Sequence, residues 1–355
     1  MRATLTRTIY YALKPLLPWP VRLAARRFVA QRTRRNHAAT WPIDEAAGRP
    51  PANWPGWPDG RKFALVLTHD VEGSKGLANC RKLAELEMEM GFRSSFNFIP
   101  EGEYTLPAEL RQWLVGNGFE VGVHDLHHDG RLFWSRRRFV HNSKKINGYL
   151  HNWGAVGFRA GFMLRQLDWY HDLNIDYDAS TFDTDPFEPQ PDGAGTIFPF
   201  WVGRPPGAGA GSLNKDERSG AVSSILPLPS STGDKRRAGY VELPYTLSQD
   251  STLFLVLRET TSEIWLRKLA WVAGKGGMAM VNVHPDYLAF AGDSPRNTSF
   301  PASYYRDLLR HVRDDYSGAY WPALPREVAN FASQNLSAAS APRPASAPST
   351  PDPRS

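Results

Sequence analysis

The chain has 355 residues, 41% of them hydrophobic and 22% charged, so it can bury a real core in one large domain or two ordinary ones. Its single cysteine, Cys80, excludes an intramolecular disulfide and a thiolate metal site and fits a reducing compartment. The formal charge of +6 is unevenly placed: residues 1–43 hold nine Lys/Arg and no Asp or Glu, leaving 33 basic against 36 acidic residues elsewhere, so the globular part offers no basic groove for nucleic acid.

The basic arm, RTIYYALKPLLPWPVRLAARRFVAQRTRR, mixes apolar residues with arginines. Two readings fit it: a helix packed on the domain with an arginine-rich outer face, or peripheral contact of residues 1–35 with an anionic membrane. Lys14, Pro15, Pro18 and Pro20 interrupt its apolar run, so no cleavable signal peptide is recognised. Arg26-Arg27-Phe28 is followed by polar residues, unlike a twin-arginine signal; in a eukaryote the arm would also suit an organelle transit peptide. No segment approaches the roughly 20 apolar residues of a membrane span. The expected location is cytoplasmic, free or peripheral to the membrane.

Residues 40–61 are rich in Pro, Gly and Trp and read as a linker, which gives an arm and linker over 1–61 and an ordered domain over 62–335. FALVLT reads as a strand, and residues 77–91 show apolar positions at helical spacing up to Gly91. SSFNFIP is a strand, LPAELRQWLVGNG a helix, FEVGVH a strand and RRRFVHNSKKINGYLHNWG a helix. VGFRAG is a short strand and turn, LRQLDWYHDLN a helix and IDYDAS a strand. YVELPY, TTSEIWLRKLAWVAG and GMAMVNVH continue the alternation. Residues 204–239 are Gly/Ser/Pro-rich and read as a flexible surface insertion, and residues 336–355 as a disordered tail. The rhythm predicts an α/β fold with a parallel sheet. About seven β-α units favour a (β/α) barrel with its active residues at the carboxyl ends of the strands. An open doubly wound sheet is the rival, but no Gly-rich dinucleotide fingerprint follows the first strand.

Charge gathers at strand ends. LTHDVEG (67–73) puts His69, Asp70 and Glu72 straight after an apolar strand, a costly arrangement unless they are paired. EVGVHDLHHDG (120–130) carries His124 and His128, a spacing that lets two imidazoles meet one metal if the chain turns helically after the strand. VGFRAG delivers Arg159, and MAMVNVHPDY ends its strand in His284. Together they suggest a two-His, one-carboxylate metal site with an acid, a base and a cation nearby.

LTHDVEG, GVHDLHHDG, FRAG, YDASTFD and VNVH, in this order, resemble the five motifs of the NodB-like polysaccharide deacetylases, carbohydrate esterase family four, over roughly residues 62–290. The resemblance implies a distorted (β/α) barrel of about seven strands and metal-dependent removal of N-acetyl groups from an N-acetylated sugar of a polysaccharide or glycan precursor. It implies a divalent metal, usually zinc. By position, Asp70 would be the catalytic base, His124 and His128 metal ligands, Arg159 the residue orienting the base, His284 the general acid and Asp183 the acid tuning that histidine, with Asp178 competing for this last role. Two departures stand out. The family's adjacent aspartates read Asp70-Val71-Glu72 here, so Glu72 is the metal carboxylate unless Asp70 itself binds the ion. The family's Arg-x-Pro reads Arg159-Ala160-Gly161, which removes a rigid proline. Rival functions are a carbohydrate-binding protein inactive on the same fold, and an amidohydrolase for a non-sugar C–N bond. Of the aromatics near these loops, Trp134, Trp201, Phe198 and Phe200 are candidates for stacking on sugar, although most aromatics are core.

Overall fold

The computed structural model describes residues 19–190, 192–204, 238–293 and 297–336. Nearly all of the expected insertion and of the expected tail lies outside them.

In chain order the elements are α1 (Trp19–Asn36), β1 (Phe63–Val71), α2 (Ser74–Glu89), β2 (Ser95–Phe98), α3 (Ala108–Gly116), β3 (Glu120–His124), α4 (Arg136–Trp153), β4 (Gly157–Arg159), β5 (Tyr177–Asp178), β6 (Phe200–Gly203) and β7 (Gly239–Glu242). Then follow α5 (Glu263–Lys275), β8 (Met278–Asn282), a two-stranded pair β9 (Leu288–Ala289) and β10 (Phe300–Pro301), α6 (Ser303–Asp315), β11 (Tyr320–Pro322) and α7 (Pro325–Asn335). Strands β8, β1, β2, β3, β4, β5 and β7 pair in that order, all parallel. Beyond β7 a bridge from Phe182 to Tyr245 prolongs the β5–β7 pairing, and a single bridge from Leu247 to Val281 closes the curled sheet onto β8. This is a distorted seven-stranded (β/α) barrel with a weak seam between β7 and β8. Strand β6 adds an antiparallel edge to β7 and β11 flanks the start of β1.

The two-residue period of a strand sorts β1 between barrel interior and helix layer. Ala64 and Val66 pack inside with Met278, Met280 and Val241, while Phe63, Leu65 and Leu67 pack outward against Leu83, Trp265 and Leu269. The same alternation sends Thr68 and Asp70 inward at the carboxyl end. Helix α7 closes the opposite end, with Val328, Ala329 and Ala332 in the interior cluster.

Two expectations change, the domain start and the LRQLDWYHDLN helix, and the described part of the arm takes the packed-helix form, one of its two readings. The ordered domain begins before Lys62: Trp41, Ala47 and Trp57 are buried, Trp57 Nε1 donates to the Gly276 carbonyl at 2.8 Å and Lys268 Nζ to that of Pro42 at 2.5 Å. The prolines make a strap, and the tryptophans supply the apolar area that holds it down. Helix α1 packs on the domain through Leu23 and Ala30, and Arg34 pairs with Glu259 at 2.5 Å. The LRQLDWYHDLN segment forms only a six-residue 3-10 helix, Leu167–Asp172; its Asp and Asn residues compete for backbone hydrogen bonds and favour turns over a regular helix.

Candidate active site and metal centre

Asp70, Glu72, His124, His128, Arg159 and His284 converge on the carboxyl end of the barrel, with Asn97 and Asn282 beside them. Asp70 lies inside β1 and is 2% exposed. Asn97 on β2 donates to its Oδ1 at 2.9 Å and Asn282 on β8 to its Oδ2 at 2.8 Å. Arg159 Nη1, from the end of β4, reaches Oδ1 at 3.3 Å and Oδ2 at 3.5 Å. Burial alone would raise the Asp70 carboxyl, but the Arg159 guanidinium, the His284 charge and the Asn97 hydrogen bond outweigh it and hold Asp70 well below the usual carboxylate range. Arg159 is itself fully buried and anchored by Nε to the Ala179 carbonyl at 2.9 Å and by Nη1 to Thr68 Oγ1 at 3.0 Å.

Glu72, His124 and His128 each bring one ligand atom to a place where all three lie within 4.8 Å of one another. The His124 Nδ1 is 3.1 Å from the Arg159 carbonyl oxygen, which places the proton on Nδ1. Its Nε2 is buried and has no hydrogen-bond partner among the described residues, and burial lowers the imidazole's proton affinity. That leaves a neutral ring presenting a lone pair, as a metal requires. Glu72 Oε1 is 3.2 Å from His128 Nε2. Desolvation would raise Glu72, but the His128 charge and hydrogen bonds from His128 and Tyr287 hold it well below its ordinary value. Two imidazoles and a carboxylate are the donor set of catalytic divalent-metal sites rather than closed structural ones, so these residues fit a metal.

The turn carrying His128 is not helical. Asp125 and His128 both take left-handed backbone angles, φ 56° and 53°, uncommon for non-glycine residues. The turn brings the two imidazoles to 4.8 Å between ring centroids. Gly161 explains the missing proline. Its N–H donates to Asp125 Oδ2 at 3.2 Å, and a Cβ there would sit 2.7 Å from both Asp125 Oδ2 and the His128 ring. A proline has no N–H to give and no room for its ring, so glycine serves the metal-side turn while Arg159 is fixed by its own hydrogen bonds.

His284 follows β8, and its Nδ1 lies 2.6 Å from Asp250 Oδ1 while its backbone N–H donates to Asp250 Oδ2 at 2.7 Å. Burial alone would depress the imidazole; the buried Asp250 carboxylate, aided by Glu72 and Asp70, pushes it up to about 10. Asp250 therefore occupies the place expected for Asp183. The Asp183 carboxylate instead pairs with Lys268 on α5 at 2.6 Å, because the chain beyond β5 turns it into the helix layer. Asp178 points to Ser180, whose Oγ donates to it at 2.8 Å, and its acidity is weakened by burial and then by neighbouring Glu242.

Asn97, Asn282, Asp250, Asp286 and Tyr287 escaped the sequence reading. The asparagines had a signal, since each is a lone amide in a buried apolar strand. Asp286 accepts from the Glu72 N–H at 2.9 Å and the Gly76 N–H at 3.1 Å, and a Cβ on Gly76 would collide with it. The Tyr287 hydroxyl donates to Glu72 Oε2 at 2.5 Å. His69 points outward from β1, with Nε2 2.8 Å from Glu87 Oε1, and His127 lies 3.2 Å from the Glu101 carbonyl; neither joins the cluster. Phe198 and Phe200 are buried, while Trp134 is 44% exposed under the Arg131 guanidinium.

A protein provisionally named as a polysaccharide deacetylase from Mycobacterium smegmatis superposes with a TM-score of 0.55 at 18% identity, over 85% of this chain and 100% of its own. The chain has the polysaccharide deacetylase fold. Weaker likenesses include a protein provisionally named as a polysaccharide deacetylase involved in O-antigen biosynthesis from Bordetella bronchiseptica (TM-score 0.39, 16% identity, 79% and 94% covered) and a peptidoglycan deacetylase from Bacillus subtilis (0.38, 11%, 77% and 92%). No family model and no curated protein matches the sequence. On the deacetylase fold, the Asp70, His124, Arg159 and His284 positions all lie at the carboxyl ends of strands, the face where barrel enzymes build their sites.

Proposed function

We propose that this protein is a metal-dependent hydrolase that removes N-acetyl groups from an N-acetylated sugar in a polysaccharide or glycan precursor. The observation that carries the reading is the convergence of Glu72, His124 and His128 between the Asp70–Arg159 pair and the His284–Asp250 pair. A divalent metal held by Glu72, His124 and His128, zinc in the first instance, would polarise the amide carbonyl and acidify water.

The chain's own groups divide the proton work. Asp70 is ionised and takes a proton from water as it attacks; Asn97, Asn282 and Arg159 fix the carboxylate in one orientation. An amine leaves an amide only when protonated, and His284, kept cationic by Asp250, supplies that proton. Asp70 is a weak base by proton affinity, so its contribution rests on position.

The intact constellation speaks against an inactive carbohydrate-binding protein. The test is to measure bound metal and acetate release from N-acetylated oligosaccharides before and after chelation. Full activity in strong chelator, or in the His124→Ala/His128→Ala variant, sinks the reading. The split between Asp70 and Glu72 is tested in parallel: Glu72→Gln is expected to lose metal, whereas Asp70→Asn keeps it and loses activity. Release of acyl groups from non-sugar amides at higher kcat/KM would transfer the activity to that class.

A further inference from the structure

We propose that the outer face of α1 is a docking surface for an anionic lipid bilayer. One face of this helix is already committed: Leu23 and Ala30 are buried, and Arg27 Nε donates to the Leu255 carbonyl at 3.0 Å. At 100° per residue, Val21, Ala25, Phe28, Arg32 and Arg35 form the opposite ridge, and all five are exposed. Phe28 is 73% exposed, Val29 61% and Val21 54%, a concentration of bare apolar side chains on one helix. Folding does not explain that exposure, since the helix already has a buried face.

Charge selects the partner. Residues 1–43 contain nine Lys/Arg and no acidic residue, so two copies of this face repel each other. Nucleic acid would satisfy the arginines but would leave Phe28 and Val21 in water. A bilayer of anionic lipids satisfies both, because apolar side chains enter the interface while arginines stay at the headgroups. No helix among the described residues is long and apolar enough to cross a membrane. The helix rests on the Ser251–Val256 turn that directly follows Asp250. Docking therefore brings the rim segment that holds His284 close to the headgroups and, on the deacetylase reading, favours a glycan presented at a membrane surface.

The experiment is cosedimentation of the full chain with vesicles of phosphatidylcholine alone or of equal parts phosphatidylcholine and phosphatidylglycerol, with acetate release measured separately. Partition is expected into the anionic vesicles only, weakening as salt rises. Val21→Ser/Phe28→Ser and, separately, Arg32→Ser/Arg35→Ser should each lower the partition coefficient at least about tenfold, with circular dichroism and acetate release from a soluble substrate unchanged. Absence of wild-type binding overturns the proposal. So does equal binding by both variants, which would assign the contact to another part of the chain. A wild-type protein that binds vesicles but releases no acetate would reject the deacetylase reading and leave this surface standing.

Discussion

Asp250 grips His284 twice, through the ring Nδ1 at 2.6 Å and through the backbone N–H at 2.7 Å. Its Oδ1 also accepts the Ser251 N–H at 2.7 Å, which fixes the carboxylate in place, and both it and the histidine are buried. The ring is held in one orientation with Nε2 turned toward the cluster, 3.9 Å from Glu72 Oε1. Asp250→Asn keeps the shape but removes the charge that makes His284 a cation. Activity is expected to fall about a hundredfold, the scale of one general acid, with the unfolding midpoint little changed. Steady-state assays beside urea titration check both halves, and undiminished kcat would remove His284 from the chemistry.

Asp183 should behave in the opposite way. Its carboxylate and Lys268 are each about 3% exposed and lie 2.6 Å apart. Asp183→Ala leaves a buried ammonium without its counter-ion, although Lys268 still donates to Pro42. Removal of one partner from such a pair costs about 3–5 kcal/mol. The urea midpoint should drop while kcat of the folded fraction holds. A variant with native stability and lost turnover would return Asp183 to the site.

Much of the site was legible because a parallel barrel gathers strand ends, and apolar strands that stop in Asp70, His124, Arg159 and His284 announce themselves. Asp250 gave no such signal. It sits in SQDSTLF, after the bridge from Leu247 to Val281 that closes the barrel, and only that long-range closure brings it to His284. Asp183 was attractive because its segment resembles a motif, but nearness in sequence says nothing of which way a turn points. The strap over residues 40–61 was misread for a related reason: proline and glycine signal a linker locally, while the burial of Trp41 and Trp57 depends on partners more than two hundred residues away.

Tyr287 addresses the Asp-Val-Glu departure. Glutamate is one methylene longer than aspartate and has more rotamers to lose when it binds an ion. The Tyr287 hydroxyl pins Oε2 at 2.5 Å, while Oε1 faces His128 at 3.2 Å. Tyr287→Phe deletes one hydroxyl and no carbon. Metal affinity is expected to weaken about 10–100-fold, as for other groups that orient a ligand, measured by competition with a chromogenic chelator. Unchanged affinity would show that Glu72 is held without it.

Glu120 offers a test of pH-dependent stability away from the site. It is 2% exposed at the start of β3, accepting from the Tyr177 hydroxyl at 2.9 Å and from the Arg326 N–H at 3.1 Å. Burial pushes its carboxyl up to about 7, against the smaller opposing effect of those hydrogen bonds. Between the ordinary glutamate value and about 7 the folded protein keeps a proton that the unfolded chain has released. Stability contributed by the neutral form is therefore full below the unfolded value and is lost as pH rises through about 7. The loss amounts to at most about 3 kcal/mol. In Glu120→Gln the amide oxygen can accept from Arg326 while the NH2 donates to Tyr177, so both contacts survive without a titrating group. Urea unfolding at about pH 5 and about pH 8 should show wild type losing more stability across that interval than the variant. Parallel pH profiles for the two proteins would mean that Glu120 is already ionised in the folded state at the lower pH.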